Sequence, residues 1–359
     1  MTLTERTEQP PAEQIRRPTG RYLTALAVLA AGLVITVLVA TGIGPVRVPV
    51  SDVVRILANR LSGGAGIDST ADLVVWRFRL PRVLLAAVVG AGLALGGAVV
   101  QSVVRNPVAD PHLLGLSSGA SVGAVLVLTS GTVALGAFTV PGAAFLGAAF
   151  AMALVLALAR QRGRLQPLRL VLVGVACAHL FSGVTSFLLA QTNNSAAQQQ
   201  IIFWLLGGLS GTQWDTLPIP AVVVVIAIVV LLARSRRLNV LVLGDDACAA
   251  LGVNAGRLRW QLLVLTTLLT GTVVAVSGGI GFVGLIIGHL ARMAVGSDHR
   301  RALPVTVLFG AIFLVWADVL ARIVISPAEL PIGVVTAFLG VPLFILVMRG
   351  RGHRLEAPA

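Results

Sequence analysis

Hydrophobic and polar positions along this chain fall into long blocks rather than an alternation at period 2 or 3.6. Apolar runs lie at about 22–43, in a hairpin over Arg79–Gly123, and at about 134–159, 168–190, 217–233, 260–277, 279–293, 303–324 and 331–348. About 20 apolar residues in a helix cross the ~30 Å hydrocarbon layer, so the pattern predicts ten membrane spans, with 279–293 short for a full crossing. The hairpin has the sequence RLPRVLLAAVVGAGLALGGAVVQSVVRNPVADPHLLGLSSGASVG. Its first run breaks at Asn106-Pro107 and Asp110-Pro111, because proline lacks a backbone donor and disfavours helix in the residue before it. The second run begins at once, with Gly115, Gly119 and Gly123 four apart, a spacing that lets another helix approach closely.

Between the runs, three stretches are polar or too short to cross. Residues 44–78 read as an extramembrane loop. Within 191–215, IIFWLLGGL predicts an interfacial or re-entrant helix with Trp204 and Trp214 at headgroup depth. Leu238–Trp260 is a long loop in which Asp245-Asp246 offer an N-cap and an acidic first turn, and Gly252 a left-handed cap. A second short helix is expected near Asn254. The pair would present Ala249, Leu251 and Val253 as a docking surface.

Composition adds that the chain is 57% hydrophobic and 11% charged, with mean hydropathy +0.94. It reads as an all-α polytopic membrane protein. All 27 basic residues are arginine. A P-loop and Schiff-base chemistry each need a lysine, so the chain is no Walker-type ATPase by itself. The net charge of +13 lies between spans rather than on a soluble face, which points to topology and not to nucleic acid. Only Arg47, Arg55, Arg60, Arg77, Arg79, Arg82 and Arg322 fall on one side; the other twenty arginines share the side of both termini. The arginine rule makes that side cytoplasmic. Residues 1–20 are then a disordered cytoplasmic tail, 21–349 a membrane domain and 350–359 a second tail. Cys177 in a span and Cys248 in a loop suit neither a disulfide nor a metal site.

The order RLPR, span, Q-x-x-x-R-N-P-x-A-D-P, L-G-x-S-x-G-A resembles the FecCD family of ABC-importer permeases. The later motifs GGIGFVGL, His289-Leu290-Ala291-Arg292, GSDHR and AELPIG extend the resemblance over about 76–348. One departure is Gly288, where the family usually has proline before the histidine. Gly288 makes a G-x-x-x-G with Gly284, so close packing is expected in place of a fixed kink. The resemblance implies a type II importer permease carrying an iron–siderophore complex, haem or a corrinoid through a bacterial cytoplasmic membrane. The implied partners are a second permease, identical or related, two ATP-binding subunits and a substrate-binding lipoprotein. ATP binds only to those partners, and this chain needs no cofactor.

The same resemblance assigns three groups of residues. Arg79, Arg82 and Arg322 match arginines that receive carboxylates of the binding protein. Gly244, Asp245, Asp246, Ala249, Leu251, Gly252 and Val253 match the ATPase-coupling loop. The turns Asn106-Pro107-Val108 and Gln166-Pro167-Leu168 match an inner gate.

Other chemistry fits less well. Gly115-Leu116-Ser117-Ser118-Gly119 has the form of a nucleophile elbow but lies in an apolar helix, where the elbow needs an α/β sheet. Pairing of Ser117 with His179 would make an intramembrane hydrolase. His289 and His299 share no spacing with a second ligand, and are expected to pack at helix ends. Asp318 and Arg322, four apart, suit a mutual ion pair. A proton-coupling Asp318 would instead make an ion-coupled secondary transporter, the main competing reading.

Overall fold

The computed structural model describes residues 19–63, 69–130, 136, 139–161 and 164–355. Helix α1 (Thr19–Gly42) and the short α2 (Val50–Leu61) lead to α3 (Thr70–Asp72), which runs through a π turn (Leu73–Arg79) into α4 (Leu80–Val104). After a 3-10 turn (Pro111–Leu114) come α5 (Leu116–Ser130) and α6 (Thr139–Ala159), a two-residue hairpin β1 (Arg160–Gln161) and β2 (Arg164–Leu165), and α7 (Pro167–Ala190). Next are α8 (Ser195–Leu206), α9 (Pro218–Ala233), α10 (Ser235–Leu243), α11 (Asp245–Ala250) and α12 (Ala255–Ser277). The chain ends with α13 (Val283–Val295), α14 (His299–Ile323) and α15 (Ile332–Leu355). Among the described residues, seven helical stretches are long and apolar enough to cross a membrane, and α5, α13 and Ile332–Leu346 are shorter apolar helices. Each expected run therefore has its helix.

The core forms around α4, which is buried along most of its length. In lipid there is no hydrophobic drive between helices, so packing depends on how closely backbones can meet. A Cβ on Gly97 would lie 2.3 Å from the Gly284 carbonyl oxygen, and one on Gly90 2.2 Å from that of Gly310. Thus α13 and α14 cross α4 backbone against backbone. Gly288 faces Ala98 and Gln101, which is the close packing expected of the Gly284/Gly288 pair. The same device joins α5 to α6, where Gly119 and Gly123 meet the backbone at Gly147 and Ala143.

Three expectations need correction. Residues 44–78 are not simply a loop: α2 buries Val53 and Ile56 on one face, and the helix containing α4 starts ten residues early, at Thr70. The second helix of the Leu238–Trp260 loop is not short, because Asn254 caps α12, the span itself. The two short helices there are α10 and α11. Gly244, not Asp245, is the N-cap of α11. Helix α15 continues to Leu355, past the boundary drawn at 350. The 1–20 tail lies outside the described residues except for its last two, which open α1.

The turn after α4 is also longer than a tight hairpin. Arg105 closes α4 in the left-handed conformation, φ 55°. The chain then climbs back beside α4 until a Cβ on Gly96 would sit 3.5 Å from Pro111. Eight residues of helix separate Gly96 from Val104, a rise of about 12 Å. Non-helical backbone at that depth must find partners inside the protein. Asp110 Oδ1 accepts from the His112 amide at 2.9 Å, and His112 Nε2 donates to the Ile280 carbonyl at 3.0 Å. Ile280 lies in a second non-helical segment, 278–282, between α12 and α13. Two broken spans thus brace each other.

Candidate functional site

At the end of the bundle where α1 stops and α4 begins, four charged side chains form one cluster. Asp318 on α14 is fully buried. Its Oδ1 accepts from Arg82 Nε at 2.9 Å, and its Oδ2 lies 3.0 Å from Arg322 Nε. The second contact is an ion pair without hydrogen-bond alignment, since that Nε–H points to the Asp318 backbone carbonyl at 3.4 Å. Arg82 Nη1 is also held by both oxygens of Glu329 at 2.9 Å. The mutual Asp318–Arg322 pair expected from the spacing is present, with Arg82 added from another helix.

Arg79 and Arg322 do not face outward. The last carbonyls of a helix lack helical partners and form its negative end. Arg79 donates to the carbonyls of Thr41, Gly42 and Val46, and Arg322 to those of Ala40 and Ile43. These two guanidinium groups cap α1. Both arginines are buried, at 7% and 4% exposure, so as placed they offer no surface to a docking carboxylate. Of the three arginines singled out, Arg82 alone lines the open cleft of about 320 Å³ at this end, with Glu329, Gln200, Phe203, Trp204 and Ser210.

At the opposite end, α10 and α11 meet at Gly244, whose φ of 118° is a conformation that favours glycine. Asp245 leaves α11 to chelate Arg259 of α12, with Nη1 to Oδ2 at 3.0 Å and Nη2 to Oδ1. It also lies 3.9 Å from Arg105, the residue that ends α4. Gly252 ends this small unit with φ +69°, the left-handed cap the sequence called for. Asp246, Ala249 and Leu251 are exposed, Val253 half-buried. A cleft of about 510 Å³ opens beside them, lined by Arg237, Leu251, Val253, Asn254, Arg257 and Gln261.

A second polar chain runs beside the first. Asn239 of α10 donates to Asp298 at 2.7 Å and accepts, through Oδ1, from the His299 amide at 2.9 Å. His299 Nδ1 is 2.7 Å from the same oxygen, so Nδ1 carries a hydrogen and Nε2 accepts from Ser102 Oγ of α4 at 2.8 Å. Burial pushes the Asp298 carboxyl up, but the Asn239 bond, the Arg300 amide and the Arg300 and Arg301 charges outweigh it and hold it below the usual range. At the preceding residue of α4, Arg292 donates to Gln101 Oε1 at 2.7 Å, and Gln101 donates to the Gly284 and Leu285 carbonyls. The end of α4 is therefore tied to α10, α11, α12, α13 and α14.

The two proline turns lie close to this junction. Asn106 Oδ1 accepts from the Val108 amide at 3.0 Å, an Asx turn that sets Pro107 at the corner. Pro167 is the first residue of α7, behind an extended Gln166, and Leu168 is 71% exposed. A Cβ on Gly174 would meet the Leu113 carbonyl at 2.5 Å, so α7 packs tightly on the 3-10 turn. Farther along α7, His179, Ser182, Gly183 and Ser186 are exposed. Ser117 is buried and forms no hydrogen bond with His179 among the described residues.

Sequence reasoning missed Glu329, Gln101, Asn239 and Arg105 as working parts. Glu329 had a signal in its motif, AELPIG. Gln101 and Arg105 stood in the Q-x-x-x-R-N-P-x-A-D-P motif, whereas Asn239 is an ordinary polar residue whose partners lie on a distant segment.

The whole-chain pattern matches the FecCD transport family over residues 32–350. The chain belongs to that family. FecCD relatives include the cobalamin import system permease protein BtuC of Halobacterium salinarum, 43% identical over 289 residues, or 80% of this chain and 77% of that one. The hemin transport system permease protein HmuU of Yersinia pestis is 41% identical over 293 residues, 80% of this chain and 87% of that one. Among solved structures, an inward-facing metal-chelate type ABC transporter superposes with TM-score 0.81 at 36% identity, covering 91% of this chain and all of that one. This FecCD chain is accordingly a multi-pass membrane protein with an importer-permease fold.

Proposed function

We propose that this chain is the membrane path of an ATP-driven importer for a metal chelate: an iron–siderophore complex, haem or a corrinoid. Residues 21–349 form the permease unit, with both termini cytoplasmic by the arginine count. The chain holds no ATPase site and no cofactor of its own. Two ATP-binding subunits supply the energy, a second permease completes the pathway and an external binding protein delivers the cargo. The α7 face carrying His179, Ser182 and Ser186 lines that pathway, because exposed polar groups at mid-span belong beside water or a partner rather than lipid. The turns at Asn106-Pro107-Val108 and Pro167-Leu168 form its inner gate.

One observation carries the reading: Asp245 joins the exposed α10–α11 unit to Arg259 and to Arg105 at the gate end of α4. A push on Gly244–Val253 by an ATPase reaches the gate through charged contacts instead of through a flexible loop. At the other end, the binding protein docks over the Arg82–Glu329 rim. There one of its carboxylates competes with Glu329 for Arg82, while Arg79 and Arg322 hold the rim in shape.

Replacing Leu251 with aspartate and Gly252 with proline tests the coupling role. Proline cannot adopt the positive φ of Gly252, and aspartate removes the apolar contact. The variant is expected to elute as folded permease yet lose co-purification of the ATPase and all uptake. Normal ATPase recovery with normal uptake contradicts the proposal.

A further inference from the structure

Where α6 ends and α12 begins, a cleft of about 540 Å³ is lined by Leu156, Ala157, Arg160, Gly256, Arg257 and Trp260. Arg160 and Arg257 are exposed, neither guanidinium has a carboxylate partner among the described residues, and no acidic side chain lines the cleft. Gly256 belongs to the first turn of α12, where backbone N–H groups lack helical acceptors and the helix end is positive.

The cleft does not stop at the charged rim. It continues into an exposed stripe that runs up the bundle. On α12 the stripe holds Trp260, Val264 and Leu268, which are 53%, 43% and 39% exposed. On α6 Leu156 and Ala157 line the cleft, and farther up Phe145 packs against Gly271 of α12. These helices pack side by side, so the α12 stripe borders one groove with α6. Cations at the mouth, an indole at interfacial depth and an apolar groove behind them match one kind of molecule from end to end.

We infer that this groove binds a diacyl phospholipid with an anionic headgroup. The phosphate sits between Arg160 and Arg257, Trp260 stands at the carbonyl level, and one acyl chain lies along Val264 and Leu268. Basic pockets between spans on the cytoplasmic side attract anionic lipids in this way. The ATPase is the competing occupant, since Arg257 also borders the cleft beside α11. The intramembrane stripe favours lipid, because a soluble subunit has nothing to place at the depth of Leu268. The inference rests on the proposed orientation only for naming the cytoplasmic leaflet.

The test uses the full-length permease alone in mild detergent, so it is independent of transport. Dioleoyl phosphatidylglycerol and dioleoyl phosphatidylcholine are titrated, and bound lipid is counted by native mass spectrometry. Phosphatidylglycerol is expected to bind about tenfold more tightly, a difference of about 1.4 kcal/mol. An Arg160→Gln/Arg257→Gln double variant should lose that preference, while Arg55→Gln, at the other end of the bundle, keeps it. Arg160→Gln alone, which touches only this cleft, should lose part of it. Equal binding of the two lipids overturns the inference, as does a double variant that binds like wild type. Displacement of the lipid by millimolar inorganic phosphate marks a free-anion site and overturns it too. So does a double variant that loses ATPase binding while keeping its lipid preference, which assigns the face to the protein partner.

Discussion

Asp318→Asn is expected to lower the stability of the purified permease by about 3 kcal/mol. Removing one member of a buried ion pair typically costs about 3–5 kcal/mol, because the partner charge stays buried without compensation. Here two guanidinium groups, of Arg82 and Arg322, lose their shared carboxylate, and Asp318 is fully buried. The lower end of the range applies because Glu329 still holds Arg82 and α1 carbonyls still hold Arg322. Glu329→Gln should be far milder, since its side chain is 36% exposed and exposed pairs are worth only about 0.2–1 kcal/mol. Thermal melting in detergent, followed by tryptophan fluorescence, separates the two variants. An unchanged melting point for Asp318→Asn would show that the cluster does not hold α1, α4 and α14 together.

Gly97→Leu is the second large effect. Its Cβ alone would lie 2.3–2.4 Å from the carbonyl oxygen, carbon and Cα of Gly284. Those are backbone atoms, which no rotamer change can move aside. Overpacking of a tight core costs about 1–3 kcal/mol where side chains can yield, and here the helices themselves must separate. Separation also breaks the Gln101 bonds to the Gly284 and Leu285 carbonyls, so the Arg105 end of α4 loosens along with the core. Gly142→Leu on α6 is the control, because nothing lies within 4 Å of its added Cβ. Expression and monodispersity on size exclusion should collapse for Gly97→Leu and stay normal for Gly142→Leu.

Much of this architecture was legible because membrane spans advertise themselves by length. A helix that must satisfy its own backbone in lipid needs about 20 apolar residues whatever its neighbours. Small-residue spacing was equally direct: Gly284 and Gly288, like Gly119 and Gly123, sit where backbones meet. The Gly252 cap followed from a local rule as well. What the sequence hid was non-local. Arginines on the side where few are expected read as a docking surface, but Arg79 and Arg322 spend their donors on the carbonyls of α1. Nothing near Gly42 in the sequence announces that its helix end needs partners from residues 37 and about 280 positions away. The re-entrant turn was hidden for a related reason. Asp110-Pro111-His112 looks like a surface hairpin until His112 finds Ile280.

The α10–α11 unit shows the same division. Its glycines and acidic turn were readable, and so was its exposed Leu251. The partners of Asp245 were not, since an acid in a first helical turn is locally explained by the helix dipole. Only the fold shows that its carboxylate goes to Arg259 and Arg105, which links the unit to the end of α4.

In the proposed cycle, ATP hydrolysis by a separate subunit, transmitted through α10 and α11, drives inward passage of a metal chelate. Uptake into proteoliposomes tests it most directly. The permease is reconstituted with its ATPase and binding protein, and accumulation of cobalamin, haem or a ferric siderophore is followed with and without ATP on the ATPase side. Accumulation of at least one of these cargoes should require ATP and the ATPase, stop with Leu251→Asp/Gly252→Pro, and ignore proton and sodium gradients. Accumulation driven by an ion gradient with the permease alone would contradict the account and make this chain a secondary transporter.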